Sequence, residues 1–158
     1  MPTIHLTTFV EAPVERLFDL TRSIDLHKKS MSESNGQAVA GTTMGLIELS
    51  ETVTWKAKLL FKTRILKTKI TEMNRPMSFT DEMISGDFKS ISHQHHFKQT
   101  TNGSLLIDLF YFETPYGIIG KITNKLFLTG YLKKLLENRN RFIKEYAESE
   151  KWKFILQK

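Results

Sequence analysis

The sequence predicts an α+β domain in which a curved antiparallel sheet of six or seven strands wraps one long C-terminal helix. Three observations lead there. From Gly45 to Thr114 apolar side chains recur at every second position, broken by turn signals. After Pro115 the period lengthens to that of a helix and holds for about 30 residues. Between the first strand and the ladder stand two short helical patterns. Such an order segregates helices to one face of an antiparallel sheet, and a strongly curved sheet leaves a cavity beneath the helix.

Thr3–Val10 alternates Ile4, Leu6, Thr8 and Val10 with His5, Thr7 and Phe9, and is predicted as a strand. Glu11-Ala12-Pro13 ends it, because proline lacks an N–H and fixes φ; Pro13 then stands near the first helical position. Val14–Thr21 follows as a helix, with Val14, Leu17 and Phe18 on one stripe and Glu15 in the first turn. Ser23–Lys29 is a second short helix, with Ser23 as N-cap and Ile24, Leu26 and His27 for packing. Ser30–Gly45 is polar, carries Gly36, Gly41 and Gly45, and reads as a long loop, a candidate flap, with one weak strand near Gln37–Gly41.

In the ladder, Val53, Trp55, Ala57, Leu59 and Phe61 alternate with Thr54, Lys56, Lys58, Leu60 and Lys62, giving one apolar and one cationic face. Arg64–Met73 sets Leu66 and Ile70 opposite Lys67 and Lys69. Asn74-Arg75-Pro76 turns into a strand over Ser78–Ile84, and Ser85-Gly86-Asp87 turns into a long one over Phe88–Gln99. A hairpin around Asn102-Gly103 leads to Ser104–Thr114. The terminal helix stripes Ile119, Ile122, Leu126, Tyr131, Leu132, Leu135, Leu136, Phe142, Ile143 and Tyr146 along one face. Gly130 inside it costs about 1 kcal/mol relative to Ala, so a bend or a close backbone contact is expected there. The tail 149–158 holds Trp152, Phe154, Ile155 and Leu156 and is expected to dock on the body without regular structure.

The 158 residues carry a formal charge of +6, 40% hydrophobic residues and no cysteine. That length fits one domain over 1–158 with a sizeable core. Without cysteine there is no disulfide scaffold, thiolate zinc site, iron–sulfur cluster or thiol nucleophile. No apolar run reaches the roughly 20 residues of a membrane span, and Glu11, Glu15 and Arg16 interrupt any secretory signal, so a cytoplasmic protein is expected. GxxxxGK[ST], GxGxxG, HExxH and GxSxG are all missing.

His93 and His95 share one strand face with Ile91 and Phe97, and Asp108 shares a face with Leu106, Phe110 and Phe112 on the next strand. If those faces line the cavity, the three polar groups converge inside it. They would then serve as metal ligands, as a carboxylate-oriented histidine for proton transfer, or as satisfied polar groups that orient a ligand. The last is preferred. Arg139 falls on the apolar stripe of the helix, where it either snorkels to water or meets a ligand carboxylate or Asp108. Glu51, Thr68 and Glu72 lie near inward register, and only one of Asp81 and Glu82 can point inward.

The segment Glu11-Ala12-Pro13-Val14-Glu15-Arg16-Leu17-Phe18 resembles the opening motif of the START-like, Bet v 1-like superfamily (SRPBCC proteins). The resemblance continues, in order, through Glu51-Thr52-Val53-Thr54-Trp55-Lys56-Ala57, Phe79-Thr80-Asp81-Glu82, Gly86-Asp87-Phe88, His93-Gln94-His95-His96-Phe97 and Tyr111-Phe112-Glu113-Thr114-Pro115-Tyr116-Gly117. It is strongest to a bacterial branch labelled cell-division-inhibitor-like or polyketide-cyclase-like. At Leu59-Leu60-Phe61 the chain departs from the family's usual small or polar segment. The resemblance implies a helix-grip fold and a hydrophobic pocket; no cofactor and no metal are expected. The expected function is binding or transport of a small lipophilic molecule by Trp55, Leu59, Leu66, Ile70, His93, His95, Asp108, Phe110, Phe112, Ile122, Leu126 and Arg139. One alternative is a cyclase or hydrolase using His93, His95 and Asp108. Another is a lipid-transfer protein making transient contact with an anionic membrane through Lys121 and Lys125, beside Gly117 and Gly120. No nucleic-acid partner is expected, because a lysine-rich strand face is what a solvated sheet carries and RNP-type motifs are missing.

Overall fold

Seven antiparallel strands form one sheet in a computed structural model that describes residues 2–114 and 125–157. They are β1 (Thr3–Val10), β2 (Gln37–Gly41), β3 (Thr52–Leu59), β4 (Lys62–Asn74), β5 (Ser78–Ser85), β6 (Ser90–Thr100) and β7 (Gly103–Glu113), in the order β1-β7-β6-β5-β4-β3-β2. Consecutive strands from β2 to β7 are neighbours. The chain passes from edge strand β1 to edge strand β2 through helices α1 (Val14–Thr21) and α2 (Ile24–Ser30) and a 3-10 turn at Ser32–Ser34. Ser23 caps α2 as its side-chain oxygen accepts from the Leu26 amide at 3.1 Å. Helix α3 (Lys125–Glu148) packs on β1, α1 and α2, and α4 (Trp152–Leu156) packs on α1 and α3. Ile122, Gly117, Gly120 and Lys121 lie outside the described residues, as do the side chains of Lys125 and Leu126.

The core divides into two apolar clusters. One gathers Leu17, Phe18, Phe79, Phe97, Leu106, Ile143 and Ala147, with the Phe18 ring meeting Phe79 and Phe97 edge-on at 5.5 and 5.1 Å. The other joins Ile4, Ile91, Phe110 and Phe112 to Leu128 and Leu132 of α3.

Several expectations change. The tail is regular, since α4 buries Ile155 and leaves Phe154 in solvent. Gly130 has no close neighbour, because a Cβ built on it meets open space. Glu72 is exposed: the β4–β5 register shifts between Ile70 and Glu72, so the inward alternation passes to Met73. Strand β3 ends at Leu59, and Leu60-Phe61 form a two-residue turn instead of continuing it.

Gly103 has a different purpose from the turn glycine read in the sequence. It pairs with Thr100 at the base of the hairpin, and a Cβ there would lie 2.3 Å from the Val10 carbonyl oxygen. Backbone, not a movable side chain, fills that space. Gly103→Ala is expected to lower unfolding free energy by about 1–3 kcal/mol, as a urea titration with unchanged slope would register.

Candidate functional site

Between the two apolar clusters lies a cavity of about 290 Å³, lined by members of both. Its walls include Trp55, Ala57, Leu59, Leu66 and Ile70 from β3 and β4, Ile91 and Phe110 from β6 and β7, and Leu132, Leu135 and Leu136 from α3. Trp55 and Leu66 face each other across the β3–β4 ladder, and the His27 ring of α2 lies 4.5 Å from Trp55.

One part of the wall gathers a buried cluster of charged groups. Strand alternation turns Asp81 of β5, His93 and His95 of β6, and Asp108 of β7 to the inner face. In the ladders, Asp81 stands opposite His93, and His95 opposite Asp108. The side-chain bonds run diagonally instead: His93 Nε2 to Asp108 Oδ1 at 2.8 Å and His95 Nε2 to Asp81 Oδ2 at 2.8 Å. Because a carboxylate only accepts, each Nε2 carries the proton. His95 Nδ1 lies 3.3 Å from Asp108 Oδ1, within ion-pair reach but poorly aligned for a hydrogen bond. The two imidazoles lie 3.8 Å apart, tilted by 30°, and Phe79 stacks on His95 at 4.2 Å.

Helix α3 closes the cluster. Arg139 donates through Nη2 to Asp108 Oδ1 at 2.7 Å, and Asn140 donates through Nδ2 to Asp108 Oδ2 at 2.7 Å. Asn140 Oδ1 in turn accepts from Arg139 Nε and Nη2, so the two consecutive residues clamp one carboxylate. Asp108 has no exposed surface and sits behind the cavity wall. Asp81, His27, His93, His95 and Arg139 line the wall itself, and the part-exposed surface of Asp81 and His27 faces this internal space.

Burial would raise the Asp108 carboxyl, yet the Arg139 charge and the contacts from His93 and His95 hold it well below the ordinary carboxylate range. Asp81 is likewise lowered: burial opposes ionisation, and the His95 hydrogen bond overcomes it. Burial and the neighbouring His95 push His93 down to about 4 in spite of Asp108. Burial and Arg139 push His27 down to about 3. His95 goes the other way, because Asp108 and Asp81 more than offset its burial. The two carboxylates thus stand against the Arg139 charge and a His95 that they hold towards its own charged form.

Besides His95 Nδ1, which lies against Asp108, three atoms of the cluster have no hydrogen-bond partner among the described residues: Arg139 Nη1, a donor; Asp81 Oδ1, an acceptor; and His93 Nδ1, an acceptor once Nε2 holds the proton. All three residues line the cavity. Asp81, His93 and His95 also bring potential ligating atoms within 4.8 Å of one another. A dication there would have to displace protons already donated to carboxylates, beside a fixed guanidinium.

Of the residues singled out from the sequence, Trp55, Leu59, Leu66, Ile70, His93, His95, Phe110 and Arg139 line the cavity. Asp108 stands behind the wall, and Phe112 is packed into the second apolar cluster. Ile122 and the Leu126 side chain are outside the described residues. Arg139 meets Asp108, not water. Thr68 is buried on the cavity wall, whereas Glu51 is exposed ahead of β3. Sequence reasoning missed Asn140 and the roles of His27 and Asp81. Asn140 next to Arg139 on the buried stripe was the available signal, since a polar pair in an apolar stripe needs a partner.

No family model matches the chain, and no curated protein does. Solved structures do. The protein TTHA0849 from Thermus thermophilus superposes with a TM-score of 0.75 at 18% identity, over 92% of this chain and 97% of that one. A START superfamily protein from Mycobacterium smegmatis gives 0.70 at 10% identity, over 92% and 97%. Ginseng major latex-like protein 151 from Panax ginseng gives 0.68 at 16% identity, over 94% and 98%. The chain has the α+β helix-grip fold of START-like, Bet v 1-like proteins, and among its described residues no helix is long and apolar enough to cross a membrane.

Proposed function

We propose that this START-like helix-grip domain binds a small, largely apolar molecule that carries one uncharged polar head, and holds it without turning it over. The observation that carries the reading is the apolar cavity with its buried cluster of opposed charges and the unpaired hydrogen-bonding atoms that this cluster presents. Apolar walls supply affinity by removing ligand surface from water, and a few convergent polar atoms supply orientation. The volume stands at the small end of the range of about 300–1,000 Å³ in which ligand pockets fall.

The head follows from the charges. A carboxylate or an ammonium would leave one uncompensated charge in an apolar space. A hydroxyl both accepts from Arg139 Nη1 and donates to His93 Nδ1 or Asp81 Oδ1, satisfying atoms that are otherwise costly to bury. Catalysis is a weaker reading, because a histidine titrating at about 4 is a feeble general base near neutral pH.

Two measurements test this. Native mass spectrometry of freshly purified protein is expected to find a co-purified molecule. In displacement of a neutral fluorescent probe, 1-naphthol is expected to compete up to about tenfold more tightly than naphthalene, the worth of one or two net hydrogen bonds. Ala57→Phe, which fills the cavity from β3, is expected to weaken probe binding at least about tenfold. Equal competition by the two aromatics would remove the polar head from the proposal. Unchanged probe binding by Ala57→Phe would remove the cavity.

A further inference from the structure

The hairpin β3–β4 has an unusual tip. Its two-residue turn, Leu60-Phe61, places both residues at positive φ, 52° and 65°. These are the central positions of a type I′ turn, which Asn and Gly ordinarily fill because a Cβ disfavours that region. Here they hold two bulky apolar residues. The Leu60 amide donates to Tyr131 Oη of α3 at 3.2 Å, and the Leu60 side chain packs into the second apolar cluster. Phe61 points the other way and is 87% exposed, the most exposed large apolar residue among those described.

What surrounds Phe61 is cationic. The segment from Thr52 to Asn74 holds Lys56, Lys58, Lys62, Arg64, Lys67 and Lys69 against the single acid Glu72. That surplus of five compares with +6 for the whole chain. Lys56, Lys58 and Lys62 are exposed, and Ile65, paired with Lys56, and Ile84 of β5 add half-exposed apolar surface on the outer face. A lone exposed lysine face is an ordinary solvated sheet. An apolar tip held in strained backbone geometry within that face is not, and solvation does not explain it.

We infer that the β3–β4 hairpin docks the protein on an anionic lipid membrane, with Phe61 inserted at the headgroup boundary and the flanking lysines against acidic headgroups. An aromatic ring in the interface and lysines at the surface are the two contributions that make such docking stable. A nucleic acid would use the same lysines, but nothing on that face offers more than one aromatic for base stacking. Location supports the lipid. Leu59, just before the tip, and Arg64, farther along β4, line the cavity, so the docked element is a wall of the proposed binding site. The inference extends the reading of that site as one for lipophilic molecules, but docking is measured without any ligand in the cavity. Failure of one therefore leaves the other standing.

The experiment is co-sedimentation of the full chain with vesicles of phosphatidylcholine alone or with about 30% phosphatidylserine. Binding is expected only to the anionic vesicles and is expected to weaken with added salt. Phe61→Asn puts a residue better suited to positive φ into the turn, so the fold is kept while the insertion is lost. It should bind at least about fivefold more weakly, and Lys58→Gln with Lys62→Gln about 10–25-fold more weakly, on the order of fivefold per lysine. Probe uptake by the cavity should be unchanged in both. The inference fails if anionic vesicles do not pull the chain down, or if Phe61→Asn binds them as the parent does. It also fails if duplex DNA is bound more tightly than the vesicles, or if Phe61→Asn alters only self-association.

Discussion

Asp108→Ala is expected to lower unfolding free energy by about 3–5 kcal/mol, a large share of the 5–15 kcal/mol that holds a domain of this kind together. The carboxylate is wholly buried and takes hydrogen bonds from Arg139, Asn140 and His93 at 2.7, 2.7 and 2.8 Å. Without it, the Arg139 guanidinium keeps its charge in a wall of Leu132, Leu135 and Phe110 with no carboxylate in hydrogen-bond contact. His93 and Asn140 lose acceptors at the same time. Urea denaturation reads the loss directly, and a change below about 1 kcal/mol would mean that the cluster is not coupled as its geometry implies. The paired substitution Asp108→Leu with Arg139→Met should recover the part of the loss that comes from the unpaired guanidinium, because apolar residues can replace a buried ion pair at little net cost, while His93 and Asn140 still lack an acceptor. That asymmetry bears on function. An ion pair that apolar residues could replace, set in the wall of an apolar cavity, is the kind of feature a ligand site retains.

Much of this architecture was legible because periodicity reports on burial. Ile91, His93, His95 and Phe97 alternate as strictly as any all-apolar strand, so the polar members were placed inward by their neighbours. Ser23 and Pro13 marked helix starts through the backbone groups that such residues satisfy or omit. What stayed hidden depends on register. Which of Asp81 and Glu82 faces inward follows from pairing Asp81 with His93, a long-range fact that no local pattern carries. The bulge that turns Glu72 outward is equally silent in the sequence. The Leu60-Phe61 turn was missed for a chemical reason, since neither residue belongs to the set that signals a turn.

Acid is expected to destabilise the fold well before its carboxylates titrate. His27 and His93 have folded values of about 3 and about 4, both below the ordinary 6.5 that the unfolded chain restores. Between pH 6.5 and about pH 4 the unfolded chain therefore binds protons that the fold refuses, and stability falls as pH falls. With two such groups the slope reaches at most about 2.7 kcal/mol per pH unit. His95 has the opposite sign: its folded value is raised, so its contribution is complete below 6.5 and is lost as pH climbs through the folded value. Asp81 and Asp108, both lowered, contribute above the ordinary carboxylate value and are lost only in stronger acid. The profile should thus still be rising at pH 6.5, where two half-protonated unfolded histidines outweigh His95, peak above that pH and fall steeply on the acid side. Urea midpoints across that range measure it, and His93→Gln separates the causes. The amide keeps a donor for Asp108 but cannot titrate, so the acid slope should fall by about half, leaving that of His27. A parent profile flat from pH 6.5 to about pH 4 would mean that the cavity hydrates its histidines freely, and the uncharged head assigned to the ligand would lose its physical basis.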